Sequence, residues 1–238
     1  MNPPVQSWKV VHATWLTRKP SAQAWMWATW SVLFLILGSA MYWHNLWSAA
    51  DWMPASQITV FEKGQWWRLW TTLFAHGDLG HLLSNSFLFF IFGYFLSGYF
   101  GAFVFPLAAL ALGGLTNAFV LLTYEPHIRL IGVSGVVYWM GGVWLVLYFL
   151  LDQQRTHFQR TLRALGVALG VFMPSTAFDP QVSYQAHLVG FILGLAFGGI
   201  YYGIHRSKFQ KALVYEIVTE EASPLESSDS SLHDEIVN

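Results

Sequence analysis

The chain has 238 residues, with 12 Lys and Arg against 13 Asp and Glu, and no cysteine. Hydrophobic residues make up 55% of it and charged ones only 11%, where a soluble domain carries about 25%. Disulfides, thiolate metal sites and cysteine nucleophiles are excluded, a near-neutral charge gives no reason to expect nucleic acid, and the composition is that of a polytopic membrane protein.

Residues 1–20 are polar, with Lys9, Arg18 and Lys19, and are expected to form a short cytoplasmic segment. Residues 24–43 carry no charge, are bordered by tryptophan and are long enough to span. This first apolar run is too long for a signal-peptide core and lacks a small-residue cleavage site, so it reads as a span. Residues 44–78 form a long loop with Asp51, Glu62, Lys63, Arg68 and Asp78 among Trp47, Trp52, Trp66, Trp67 and Trp70. Aromatic side chains with few charges suit a segment lying in the membrane interface, with short helices.

Five more spans follow, at 79–99, 102–123, 134–151, 161–178 and 183–204. Six spans put both termini on one side. Nine Lys and Arg fall in the N-terminal segment, the turn after span four and the tail; Lys63, Arg68 and Arg129 fall opposite. The positive-inside rule therefore makes the termini cytoplasmic and the 44–78 loop external. The expected organisation is a cytoplasmic segment at 1–20, a six-helix all-α membrane domain at 21–204, and a cytoplasmic tail at 205–238. Seven of the 13 acidic residues lie beyond Tyr215, and the serine-rich stretch from Glu216 is expected to be disordered.

Polar groups inside apolar spans are costly, so their placement is informative. Spans two, four and six all begin at the external face. His81 and Asn85 lie in the first turns of span two, Ser134 opens span four, and His187 lies about one turn into span six. Topology brings all four to a similar depth. His81 and Asn85 share a helix face at i and i+4, as do Ser134 and Tyr138. Span six carries Ala186, Gly190, Gly194 and Gly198, small residues repeating every four, a pattern that lets two helix backbones approach closely. If that seam faces Gly135, Gly141 and Gly142 of span four, His187 approaches Ser134.

Serine is a weak nucleophile until a base takes its proton, and a neutral histidine does so near pH 7. No acidic residue lies in the apolar spans, so the reading is a Ser134–His187 dyad, with Tyr138 packed against the imidazole to orient it. Candidate donors to the oxyanion are the Ser134 backbone N–H, the Asn85 amide and the His81 ring. Gly132 allows backbone to pass close to substrate. Metal chemistry is disfavoured: there is no His-Glu-x-x-His, and His76 and His81 splay apart at i and i+5.

Gly132-Val133-Ser134-Gly135 with Tyr138 resembles the serine motif of the rhomboid intramembrane proteases. Ala186-His187-x2-Gly190, with Gly194 beyond, is similar to their histidine helix, His76-x4-His81-x3-Asn85 to their second-helix motif, and Trp67-Arg68 to the pair in their external loop. The resemblance covers residues of about 67 to 200 and implies the basic six-span bacterial form around a water-filled cavity. It implies Ser134 as nucleophile, His187 as base, and His81 and Asn85 with the Ser134 N–H as oxyanion site. His76, Trp67 and Arg68 would hold the external loop. The family uses no cofactor and cleaves membrane-anchored protein substrates near their external boundary, here in a bacterial plasma membrane. Ser84 departs from the pattern, standing where bacterial relatives often carry a bulky aromatic near the substrate entrance.

Each residue also has a plainer reading. A lone serine in a membrane helix is usually a packing residue, His81 and Asn85 would serve as interhelical glue, and Gly190 and Gly194 are structural either way. The rival functions are a non-catalytic rhomboid-like binder or chaperone, whose members typically lack the serine or the histidine, and a small transporter. A transporter predicts polar residues continuing along span four, whereas residues 143–151 are almost wholly apolar.

Overall fold

The computed structural model describes residues 5–172 and 183–221. Strand β1 (Val5–Ala13) leads through a turn at Trp15–Thr17 into helix α1 (Gln23–Trp43). The following loop holds the short helices α2 (Ala49–Trp52) and α3 (Arg68–Thr71), with a wide π turn at Ile58–Glu62 between them. Four long helices follow: α4 (Leu79–Phe100), α5 (Ala109–Leu121), α6 (Ser134–Leu151) and α7 (His157–Phe172). Helix α8 (Tyr184–Gln210) and strand β2 (Val214–Glu221) complete the order.

The observed starts follow local chemistry. Asp78 caps α4, its carboxylate accepting from the His81 N–H at 2.8 Å. Ser183 caps α8 in the same way, accepting from Ala186 N–H at 3.2 Å. The turn at Phe103–Ala108 breaks at Phe105, which takes extended angles before Pro106.

Helix α6 is the centre of the bundle. Ten of its 18 residues are buried, against five of 21 in α1. It is apolar on every side, as a helix enclosed by others must be. Trp139, Met140 and Leu147 join Phe89 and Leu96 of α4 and Phe105 in one core. The outside of the bundle is apolar too: Trp25, Phe34, Phe87, Leu122, Leu188 and Ile200 are all exposed. Among the described residues five helical stretches, Gln23–Trp43, Leu79–Phe100, Phe103–Leu121, Ser134–Leu151 and Tyr184–Gln210, are long and apolar enough to cross a membrane. An inside and an outside that are both apolar identify a multi-pass membrane protein.

Two expectations are altered. The expected fifth span at 161–178 corresponds to α7, which begins four residues earlier, at His157; residues 173–178 lie outside the described residues. The tail is expected to be disordered from Glu216; residues 222–238 lie outside the described residues. Instead Val214–Glu221 pairs antiparallel with Val5–Ala13, from Val5 opposite Glu221 to Ala13 opposite Val214. Val214, Ile217, Val218 and Thr219 are β-branched and favour the extended chain, which outweighs the acidic composition. His12 Nδ1 meets Glu216 Oε2 at 3.0 Å across the ribbon. The segments before α1 and after α8 therefore meet at one end of the bundle.

Candidate active site

The small residues of α8 do face α6. A Cβ on Gly190 would overlap the carbonyl oxygen of Gly135, and one on Gly194 that of Trp139. From the other side, a Cβ on Gly142 would come within 2.6 Å of the Phe191 carbonyl oxygen. The two backbones touch because neither helix has a side chain between them.

This contact sets the depth of the histidine. The Tyr138 ring lies flat on the His187 imidazole, with centroids 3.9 Å apart and planes 11° from parallel. Ser134 precedes Tyr138 by one turn on the same face of α6. Gly135, next to Ser134, meets Ala186, next to His187: a Cβ on Gly135 would lie 3.4 Å from the Ala186 oxygen. Ser134 and His187 thus sit on facing turns at one end of the α6–α8 contact, and both are partly exposed.

The chain reaches Ser134 through an irregular segment. Gly132 has φ +109°, a conformation only glycine adopts readily, and its N–H donates to the Thr72 carbonyl at 3.0 Å. A Cβ there would stand 2.9 Å from His81 Cε1, so the His81 ring rests against Gly132. Asn85 lies one turn deeper on the same face of α4 and is buried. Its Nδ2 meets no acceptor among the described residues. Ser84 points outward and its hydroxyl donates to the His81 carbonyl at 3.1 Å.

His76 lies beside His81, ring centroids 5.0 Å apart and edge to face, and is fully buried. The Ser39 hydroxyl donates to the Phe74 carbonyl at 3.2 Å and lies 2.9 Å from His76 Nδ1. Trp43 Nε1 donates to the His76 carbonyl at 2.7 Å. Burial pushes the His76 pKa down to about 3, helped by the like charge of His81 and opposed by Asp78. His76 is therefore a neutral side chain tying α1 to the start of α4.

Arg68 organises the long loop. Its Nε donates to Gln65 Oε1 at 2.6 Å and its Nη1 to the carbonyls of Asp51 and Pro54, each at 2.8 Å. Burial, then the like charge of Arg129, lowers its pKa, against the influence of Asp51. Trp67 is half exposed, 52%, and contributes its carbonyl to the N–H groups of Trp70 and Thr71.

Several supporting residues went unnoticed in the sequence. Thr72 holds the segment before Ser134 twice, through its carbonyl to Gly132 and its hydroxyl to the Leu130 carbonyl. Asn117 Nδ2 donates to the Leu69 carbonyl at 2.8 Å, and Ser39 orients His76. Ser39 and Asn117 are polar residues inside apolar runs, the same signal that flags His81. Ala55 and Leu130 exchange backbone hydrogen bonds at 3.2 and 2.7 Å, which locks the long loop to the segment before Ser134. No cluster of His, Asp and Glu fit for a metal occurs among the described residues.

A family model described as the Rhomboid domain matches residues 63–204, more than half of the chain. This protein belongs to the rhomboid family. The match takes in every motif from Arg68 to Gly194. One similar protein is the putative rhomboid protease YdcA of Bacillus subtilis (strain 168), 28% identical over 132 residues, which cover 54% of this chain and 63% of that one. Another is the rhomboid protease GluP of the same organism, 24% identical over 194 residues, covering 70% of this chain and 37% of its relative. The chain thus spans less than two thirds of the length of either relative.

Proposed function

We propose that this rhomboid is an intramembrane serine endopeptidase that uses a Ser134–His187 dyad. The reading rests above all on one observation, the flat stacking of Tyr138 on His187 one turn from Ser134. The names of its two relatives, both called rhomboid proteases, support it.

In this reading His187 takes the proton of Ser134 as its oxygen attacks the scissile carbonyl. The carbonyl oxygen becomes an oxyanion held by the Ser134 backbone N–H, the Asn85 amide and the His81 ring. The unpartnered, buried Asn85 Nδ2 fits that role, because such a donor is held ready for an acceptor that arrives with substrate. Collapse of the intermediate breaks the C–N bond, and His187 returns its proton to the leaving amine. Water then attacks the Ser134 ester, again with His187 as base, and releases the new carboxylate. Tyr138 fixes the imidazole plane, the part a carboxylate plays in a triad. Gly132 and Ser84 border the approach of substrate.

The substrates are single-span or otherwise membrane-anchored proteins, cut near the external boundary, where their helix unwinds most readily. The β1–β2 pairing supports an even number of crossings, since it joins both ends of the chain on one side. Among the described residues five stretches have spanning length, and α7 belongs to the sixth crossing. The excess of Lys and Arg on that side makes it cytoplasmic, in a bacterial plasma membrane. No cofactor enters the reaction. A non-catalytic binder is the rival, but it leaves the facing serine and histidine without a task.

The test is cleavage of a fluorescent single-span substrate in proteoliposomes. Ser134→Ala and His187→Ala should fold and lose cleavage. Wild-type rates in Ser134→Ala would refute the assignment, and a fluorophosphonate should label Ser134 in the active protein alone.

A further inference from the structure

Two clefts among the described residues lie far from Ser134, at the end of the bundle that carries the β ribbon. The larger, about 560 Å³, is a slot between α6 and α7. Trp144, Leu145 and Tyr148 form its α6 wall, and Arg163, Gly166 and Val167 its α7 wall. Trp144 is held by stacking on Phe95, centroids 5.0 Å apart and planes 25° from parallel, so that wall is rigid. At Gly166 a Cβ would meet nothing within 4 Å, and the neighbouring Leu162 and Leu165 are exposed. The slot opens on the apolar outside of the bundle.

The second cleft, about 340 Å³, adjoins the first, sharing Trp144, Tyr148 and Arg163. Besides the apolar Leu16 and Phe95, its lining carries the polar Thr14, Thr17, Gln154 and Arg155. Asp152 is the acid here, and both its oxygens accept from Arg155 Nη1 at 2.8 Å. That pairing leaves Arg163, which forms no ion pair among the described residues. Two arginines against one buried aspartate give the mouth a net positive charge.

We propose that the joined clefts bind one anionic phospholipid, with an acyl chain in the Trp144–Val167 slot and the phosphate at Arg163. An apolar trough on the lipid-facing surface, ending in an unneutralised guanidinium beside hydroxyl and amide groups, matches that ligand at both ends. A zwitterionic headgroup carries its own cation and leaves the arginine's charge uncompensated. The site is independent of the proteolytic reading, because it uses none of those residues.

The test is native mass spectrometry of the full chain released from detergent, after titration with phosphatidylglycerol or phosphatidylcholine of identical chains. Wild type should retain one phosphatidylglycerol preferentially. Arg163→Gln should weaken that retention about fivefold, the effect of one arginine near a lipid headgroup. Gly166→Phe should block the slot and lower retention of either lipid. Arg206→Gln, an exposed cation of α8 outside the clefts, should change nothing. Equal retention of the two lipids, an equal effect of Arg206→Gln, or undiminished binding to Gly166→Phe would each overturn the site. The first two would mean only diffuse surface attraction.

Discussion

Gly190 of α8 sits against the carbonyl oxygen of Gly135 on α6, with no space for a side chain between them. This one contact decides how near the histidine turn of one helix comes to the serine turn of the other. Gly190→Ala must push the helices apart, and overpacking of this kind costs about 1–3 kcal/mol. Thermal unfolding in detergent should register that loss, and cleavage should fall with it. Gly199→Ala is the control, because a Cβ there meets nothing within 4 Å. It should leave stability unchanged or slightly higher, as alanine is the better helix former.

Arg68→Ala removes three hydrogen bonds at once and leaves the Asp51 and Pro54 carbonyls without their donor. Hydrogen bonds from a charged group are worth about 1.5–3 kcal/mol, so the long loop should loosen by at least that amount. Limited proteolysis should then find new cuts within residues 44–66. Arg68→Lys should rescue only part of the protection, since an ammonium lacks the planar fork that reaches Gln65 and both carbonyls together.

Asn85→Ala should lower kcat by about 10²-fold, the usual effect of losing one oxyanion donor, with KM little changed. Asn85→Asp should be no better, because a carboxylate repels the charge the amide would hold. Turnover of the fluorescent substrate at saturating concentration measures both. An unchanged kcat would remove Asn85 from the oxyanion site.

His76 gives a pH dependence with a definite sign. Its pKa is about 3 when folded and near 6.5 in an exposed chain, so the unfolded state binds more protons between those values. Stability should fall as pH drops from about 6.5 toward 3, and be unaffected by this group above that window. Melting temperatures of wild type and His76→Gln, compared from pH 7.5 to 4.5, should converge on acidification. Parallel curves would mean that His76 is not buried neutral.

Much of the bundle was legible because membrane spans leave a simple trace. The run 134–151 matches α6 to the residue, since a loop glycine precedes it and Asp152 closes it. The small-residue stripe in α8 announced a close helix contact; that its partner was α6 follows only from the packed structure. The irregular loop was least legible. Thr72 acts through hydrogen bonds to Gly132 and Leu130, and nothing in local composition marks a residue 58 positions from its acceptor. The strand in the tail was hidden for a related reason. Its partner is the other end of the chain, and acidic residues on a two-stranded ribbon leave half their neighbours apolar.

That ribbon bears on how the protein is made. Val5–Ala13 is synthesised before α1 and meets its pairing strand only when Val214–Glu221 leaves the ribosome, after the described helices α1 to α8 have been threaded into the bilayer. Its closure therefore dates the moment when α1 to α8 have all been made. A chain halted before residue 214 would display an open strand edge, the kind of surface on which another chain can pair.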